Sequence, residues 1–83
     1  MDEKLISRVA DVIKSYLSEH PAAADTIEGI HEYWIAWGDI PEMKAVTEAA
    51  LLHLEQAGFV MRTKAGNRDI WRRKNEGGNS LPA

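Results

Sequence analysis

The chain has 83 residues, 45% of them hydrophobic and 28% charged, with a formal net charge of -3. That length admits one domain with a modest core, burying about 60% of its unfolded surface, and the composition is that of an ordinary globular protein. No cysteine is present, which excludes disulfides, thiolate metal centres and cysteine nucleophiles. It also fits a reducing compartment.

The opening MDEKLISRV has neither a basic leader nor an apolar signal core, so no export signal is expected. No apolar run reaches the roughly 20 residues of a membrane helix. A cytoplasmic protein with no membrane partner is the expectation.

The first helix is predicted across DEKLISRVADVIKSYLSE. Leu5, Ile6, Val9, Val12, Ile13, Tyr16 and Leu17 recur at three- and four-residue steps and share one stripe. His20-Pro21 closes it, because the residue before proline is pushed out of helical geometry. A second helix is predicted after PAAA, with Asp25 as its cap and Glu28 at the capping-box spacing. Ile27, Ile30, His31, Trp34 and Ile35 make its apolar face, and Gly38 ends the pattern.

The third helix is expected to open at Asp39, with Pro41 in its first turn where a missing N–H costs nothing. It runs to Gly58, a residue suited to a left-handed helix end. Thr47, Ala50, Leu51 and Leu54 form its buried stripe, with Val46 at the margin. The period then changes. β-prone residues flank AGN, which is turn chemistry, so Phe59 to Thr63 and Asp69 to Arg73 are predicted as antiparallel strands. Residues 1–74 thus make one domain, and residues 75–83, NEGGNSLPA, have the composition of a flexible tail. The fold class read from this order is mainly α with a small β-hairpin.

Charge is segregated along the chain. Residues 1–60 hold four Lys/Arg against eleven Asp/Glu; residues 61–75 hold six Lys/Arg against one Asp. Segregation of this kind bears on partners rather than on fold. A basic hairpin either touches nucleic acid or is a solvated edge whose charges discourage strand-to-strand aggregation.

Three helices followed by a hairpin, with the short AWGD link between the second and third, suit a helix-turn-helix. The run TEAALLHLEQAGFVMRTKAGNRDIWRR, with Leu54, Gly58, Phe59 and Val60 at the expected positions, resembles the third helix and wing of the winged helix-turn-helix superfamily. HPAAADTIEGIHEYWI also resembles small bacterial domains of that type. The resemblance covers roughly residues 3 to 74. It implies a three-helix winged helix-turn-helix fold and a DNA-binding, transcription-regulator-like role, with the third helix in the major groove and the wing on phosphate.

Taken residue by residue, the wing is equipped for this and the helix is not. Arg62, Lys64, Arg68, Arg72 and Arg73 can neutralise phosphates, and Asn67 at the tip can hydrogen-bond a sugar or base. Trp71, among them, either stacks or turns to the core. The third helix contributes Lys44 but also Glu42, Glu48 and Glu55, and lacks the cluster that reads base edges. Double-stranded DNA met chiefly by the wing is therefore one expectation. The other is a winged helix used for association with a protein partner or a second copy, through Met43, Ala49 and Leu52 on the third helix.

Catalysis is not expected. HEYWI begins like a zinc-protease motif, but position 35 is Ile where a second histidine is needed. His20, His31 and His53 have no metal-ligand spacing; His31 is expected on a helix face with its ring satisfied and His53 in solvent. No glycine-rich loop presents a serine or cradles a phosphate, so no cofactor or small-molecule ligand is anticipated. Trp34, Trp37 and Trp71 are expected in the core, with Trp37 setting the angle between the second and third helices.

Overall fold

The computed structural model describes residues 2–38 and 43–74. The expected start of the third helix at Asp39 to Glu42, and the tail at 75–83, lie outside the described residues.

Helix α1 (Glu3–Glu19) opens where the Asp2 carboxylate accepts hydrogen bonds from the Lys4 and Leu5 backbone N–H groups. Such a cap satisfies donors that the first turn otherwise leaves orphaned. The apolar stripe buries Val9, Ala10, Ile13 and Leu17, while Leu5, Ile6, Val12 and Tyr16 pack at its margins.

Two features of the next segment differ from the sequence reading. First, Asp25 is not a helix cap. Ala24–Asp25 form a short strand, β1, and Thr26 caps the helix instead, its hydroxyl accepting from the Gly29 N–H at 3.2 Å. The Asp25 carboxylate folds forward to accept from the Thr26 N–H at 2.8 Å and occupies the space where Gly29 has no Cβ. Second, α2 (Ile27–Gly29) is one short turn that continues as a π-helical segment, Ile30–Trp34. Ile35 therefore lies past the helix in extended backbone, although it is buried as expected.

Helix α3 (Lys44–Gln56) buries Val46, Thr47, Ala50, Leu51 and Leu54, so Val46 belongs to the core stripe. Its end is closed by hydrogen bonds from the Ala57, Gly58 and Phe59 N–H groups to the His53, Glu55 and Leu54 carbonyls. Gly58 supplies the required left-handed backbone at φ +85.

The hairpin strands are β2 (Val60–Ala65) and β3 (Arg68–Arg73), longer towards the tip than the sequence suggested. Gly66 has φ +65 and Asn67 has a negative φ, the pattern of a two-residue type II′ turn that matches strand twist. The sheet has three antiparallel strands in the order β1-β3-β2. Ala24 pairs with Arg72 and Asp25 with Trp71, so the segment between α1 and α2 is stitched to the hairpin.

The core lies where α1, α3 and the inner face of the sheet meet. Val9, Ile13, Ile30, Leu51, Leu54, Val60 and Trp71 are its largest fully enclosed members. Each buried aliphatic or aromatic side chain there contributes about 1.5–3 kcal/mol. No helix among the described residues is long and apolar enough to cross a membrane.

Candidate nucleic-acid interface

The hairpin register sorts the basic residues. Lys64 pairs with Asp69, Arg62 with Trp71 and Val60 with Arg73. Directly paired residues share a face and successive residues alternate. Val60, Arg62, Lys64, Asp69, Trp71 and Arg73 thus lie on one face, and Met61, Thr63, Ala65, Arg68, Ile70 and Arg72 on the other.

Trp71 takes the core option, with 1% of its surface exposed, so it is not a stacking platform. Its outer edge is roofed by Arg62, whose guanidinium carbon stands 4.9 Å from the ring centroid. Arg62 also donates from Nε to Glu55 Oε2 at 3.1 Å and from Nη1 to Asp69 Oδ2 at 3.5 Å. Lys64 Nζ lies 3.5 Å from Asp69 Oδ1. Two of the hairpin cations are thereby held by carboxylates from α3 and β3.

Lys44 is held too. Its Nζ donates to Glu28 Oε2 at 2.7 Å, bridging the start of α3 to α2. That hydrogen bond is the chief reason the Glu28 carboxyl sits below the ordinary carboxylate range, helped by its own backbone N–H and by the ammonium charge; Arg68 adds a smaller electrostatic contribution. Arg68 is thus felt at α2. With Asn67 and Asp69 it faces Thr26, Ile27 and Glu28 across a shallow hollow of about 500 Å³.

Among the described residues no ion pair engages Arg68, Arg72, Arg73 or Lys74. These four do not act as one patch. Arg68 stands beside the Gly66-Asn67 turn, whereas Arg72 and Arg73 stand at the far end of β3. At about 3.3 Å per residue the two groups are roughly 15 Å apart. The structure therefore divides the expected site into a tip set (Lys64, Asn67, Arg68) and a base set (Arg72, Arg73), with Arg62 over Trp71 between them and Lys44 held at Glu28. At the base, Lys14 of α1 joins Arg72, Arg73 and Lys74 around a groove. Nothing local in the sequence connects Lys14 to the hairpin, so only the packing of α1 beside it brings them together.

On α3, Met43 and Leu52 are 46% and 38% exposed, Ala49 is half-buried, and Glu48 is exposed. Leu52 thus remains outside the core stripe.

The histidines separate. His31 is buried, with Nδ1 2.7 Å from Thr47 Oγ1. Its ring packs on Trp37, whose indole Nε1 donates to the His31 carbonyl at 2.9 Å. Trp37 thus ties the segment after the π-helical turn back to His31. His20 packs on Tyr16, and His53 is in solvent. Among the described residues no group of three His, Asp or Glu side chains converges to hold a metal ion.

No family model, curated protein or solved structure matches this chain.

Proposed function

We propose that the chain is a winged helix-turn-helix binding module that meets double-stranded DNA through the tip of its hairpin and acts without catalysis. The element order α1-β1-α2-α3-β2-β3 and the sheet order β1-β3-β2 are compatible with that layout. The observation that carries the reading is the tip itself. Among the described residues Arg68 is exposed and without an ion pair beside Asn67, and Lys64 and Lys44 are held only by solvent-accessible ion pairs. Such pairs are worth about 0–1 kcal/mol, so a phosphate that releases counterions on contact competes well for the same cations.

Glu48 and Glu55 on α3 oppose close approach of a phosphate backbone, and α3 offers little to read base edges. The module on this reading binds DNA with low sequence discrimination. The test is a fluorescence-anisotropy titration with a random duplex at several salt concentrations. Affinity should fall with a log–log slope of about -0.9 for each phosphate contacted, and Arg68→Ala with Lys64→Ala should remove most of it. Absence of binding at low salt would overturn the reading.

A second reading rests on Met43 and Leu52. Two large apolar side chains at α3 are exposed and Ala49 is half-buried, which suits a protein partner or a second copy. Such association would depend only weakly on salt and would be abolished by Leu52→Glu.

A further inference from the structure

At the opposite end of the hairpin from the tip, a groove of about 870 Å³ opens between the last turns of α1, the segment leading into β1 and the base of β2 and β3. Its floor is apolar: Leu17, Ala23 and Phe59 line it, and Phe59 is 47% exposed. Its rim carries Lys14, Arg72, Arg73 and Lys74. Among the described residues no Asp or Glu lines it, although the chain as a whole has net charge -3.

The Lys14 ammonium stands 4.1 Å from the centroid of the Phe59 ring. This contact keeps a cation at the mouth of the groove. Arg72, Arg73 and Lys74 have no ion-pair partner among the described residues. Lys14 and Lys74 meet the groove together with Arg72 and Arg73, which come from opposite faces of β3, so an anionic occupant finds positive charge on each side.

We propose that this groove docks an acidic segment of a protein partner, with one aliphatic side chain seated on Leu17, Ala23 and Phe59 and flanking carboxylates on the four cations. Charge complementarity selects the sign of the occupant, and the floor selects its class. Methyl and methylene groups accept an aliphatic side chain, whereas among the described residues no Asn or Gln lines the groove to hydrogen-bond a base. One face of Phe59 is already covered by Lys14, which removes half of a base-stacking platform. A duplex, being convex, would meet the rim and leave the floor empty. Arginine is also the cation best matched to carboxylates, through paired N–H donors. The proposal is independent of DNA binding at the tip, because the two sites share no residue.

The test is an amide-resolved NMR titration of the labelled chain with an eight-residue blocked peptide of Glu and Asp around a central Leu. Shifts should concentrate at Lys14, Leu17, Ala23, Phe59, Arg72 and Arg73 and spare Lys64 to Arg68. Replacing the peptide's Leu by Ser should weaken binding by about tenfold or more, the value of one buried leucine side chain. The double variant Arg72→Glu, Arg73→Glu should weaken it at least as much, with the rest of its spectrum unchanged. An unmoved spectrum at millimolar peptide would overturn the proposal. So would shifts spread over every cation, or indifference to the Leu-to-Ser change. A single-stranded oligonucleotide that shifted the same groove residues at lower concentration would overturn it in favour of nucleic acid.

Discussion

His31 Nδ1 and Thr47 Oγ1 stand 2.7 Å apart in the core, joining the π-helical segment to the middle of α3. Both residues are more than nine-tenths buried, so neither polar group can turn to water if the other is removed. Thr47→Val keeps shape and deletes the hydroxyl. It should lower unfolding free energy by about 0.5–1.5 kcal/mol, the net worth of one buried hydrogen bond. Urea denaturation with an unchanged m-value would register it.

Gly29 has helical backbone at φ -66, where alanine ordinarily stabilises by limiting the unfolded chain. Here the sign reverses. A Cβ at Gly29 would overlap the Asp25 carboxylate, displacing the oxygen that accepts from the Thr26 N–H. Gly29→Ala should destabilise by about 1–3 kcal/mol, as overpacking does. Adding Asp25→Ala should restore part of that loss, since the two side chains compete for one space, and a double-mutant cycle measures the coupling.

Glu28 titrates below the ordinary carboxylate range because Lys44 donates a hydrogen bond to it. A carboxyl whose folded pKa is depressed contributes stability above its unfolded pKa and loses that contribution as pH falls through the folded value. In Lys44→Met the Glu28 titration, followed by NMR of the side-chain carbonyl, should move up into the ordinary range. Because both side chains are largely exposed, the unfolding midpoint near neutral pH should barely move.

The indole Nε1 of Trp71 is buried, and among the described residues no acceptor reaches it. Trp71→Phe therefore removes an unsatisfied donor along with part of the ring, and the two effects oppose each other. The loss should be clearly smaller than the roughly 3–5 kcal/mol expected for truncating such a residue to Ala. Thermal unfolding of the Phe and Ala variants side by side would separate the terms.

Much of this fold is written locally. The three- and four-residue spacing in α1, the stripe from Val46 to Leu54 and the Gly66-Asn67 turn can each be read within a dozen residues. Strand β1 cannot. Ala and Asp are weak strand formers, and Ala24–Asp25 is extended because Arg72 and Trp71 offer a ladder edge to it. The same limit explains the Asp25 misassignment: a capping-box spacing is present, but Thr26 stands one residue nearer the helix. The basic run was legible as charge and not as geometry. Only the folded packing reveals that Arg62 pairs with Glu55 and Asp69, and that Lys14 comes beside Arg72 and Arg73 at the base of the hairpin.

Strand β1 also sets the mechanics of the hairpin. At its root β3 is bonded on both sides, to β2 and to Ala24–Asp25, and β2 issues directly from the closed end of α3. From Thr63 through the turn to Ile70, each strand's only ladder partner among the described residues is the other. The hairpin is thus a cantilever, clamped at the root and free at the end. Bending concentrates just beyond the clamp, and the backbone amides of Lys64 to Asp69 should exchange with solvent well before those of Trp71 and Arg72.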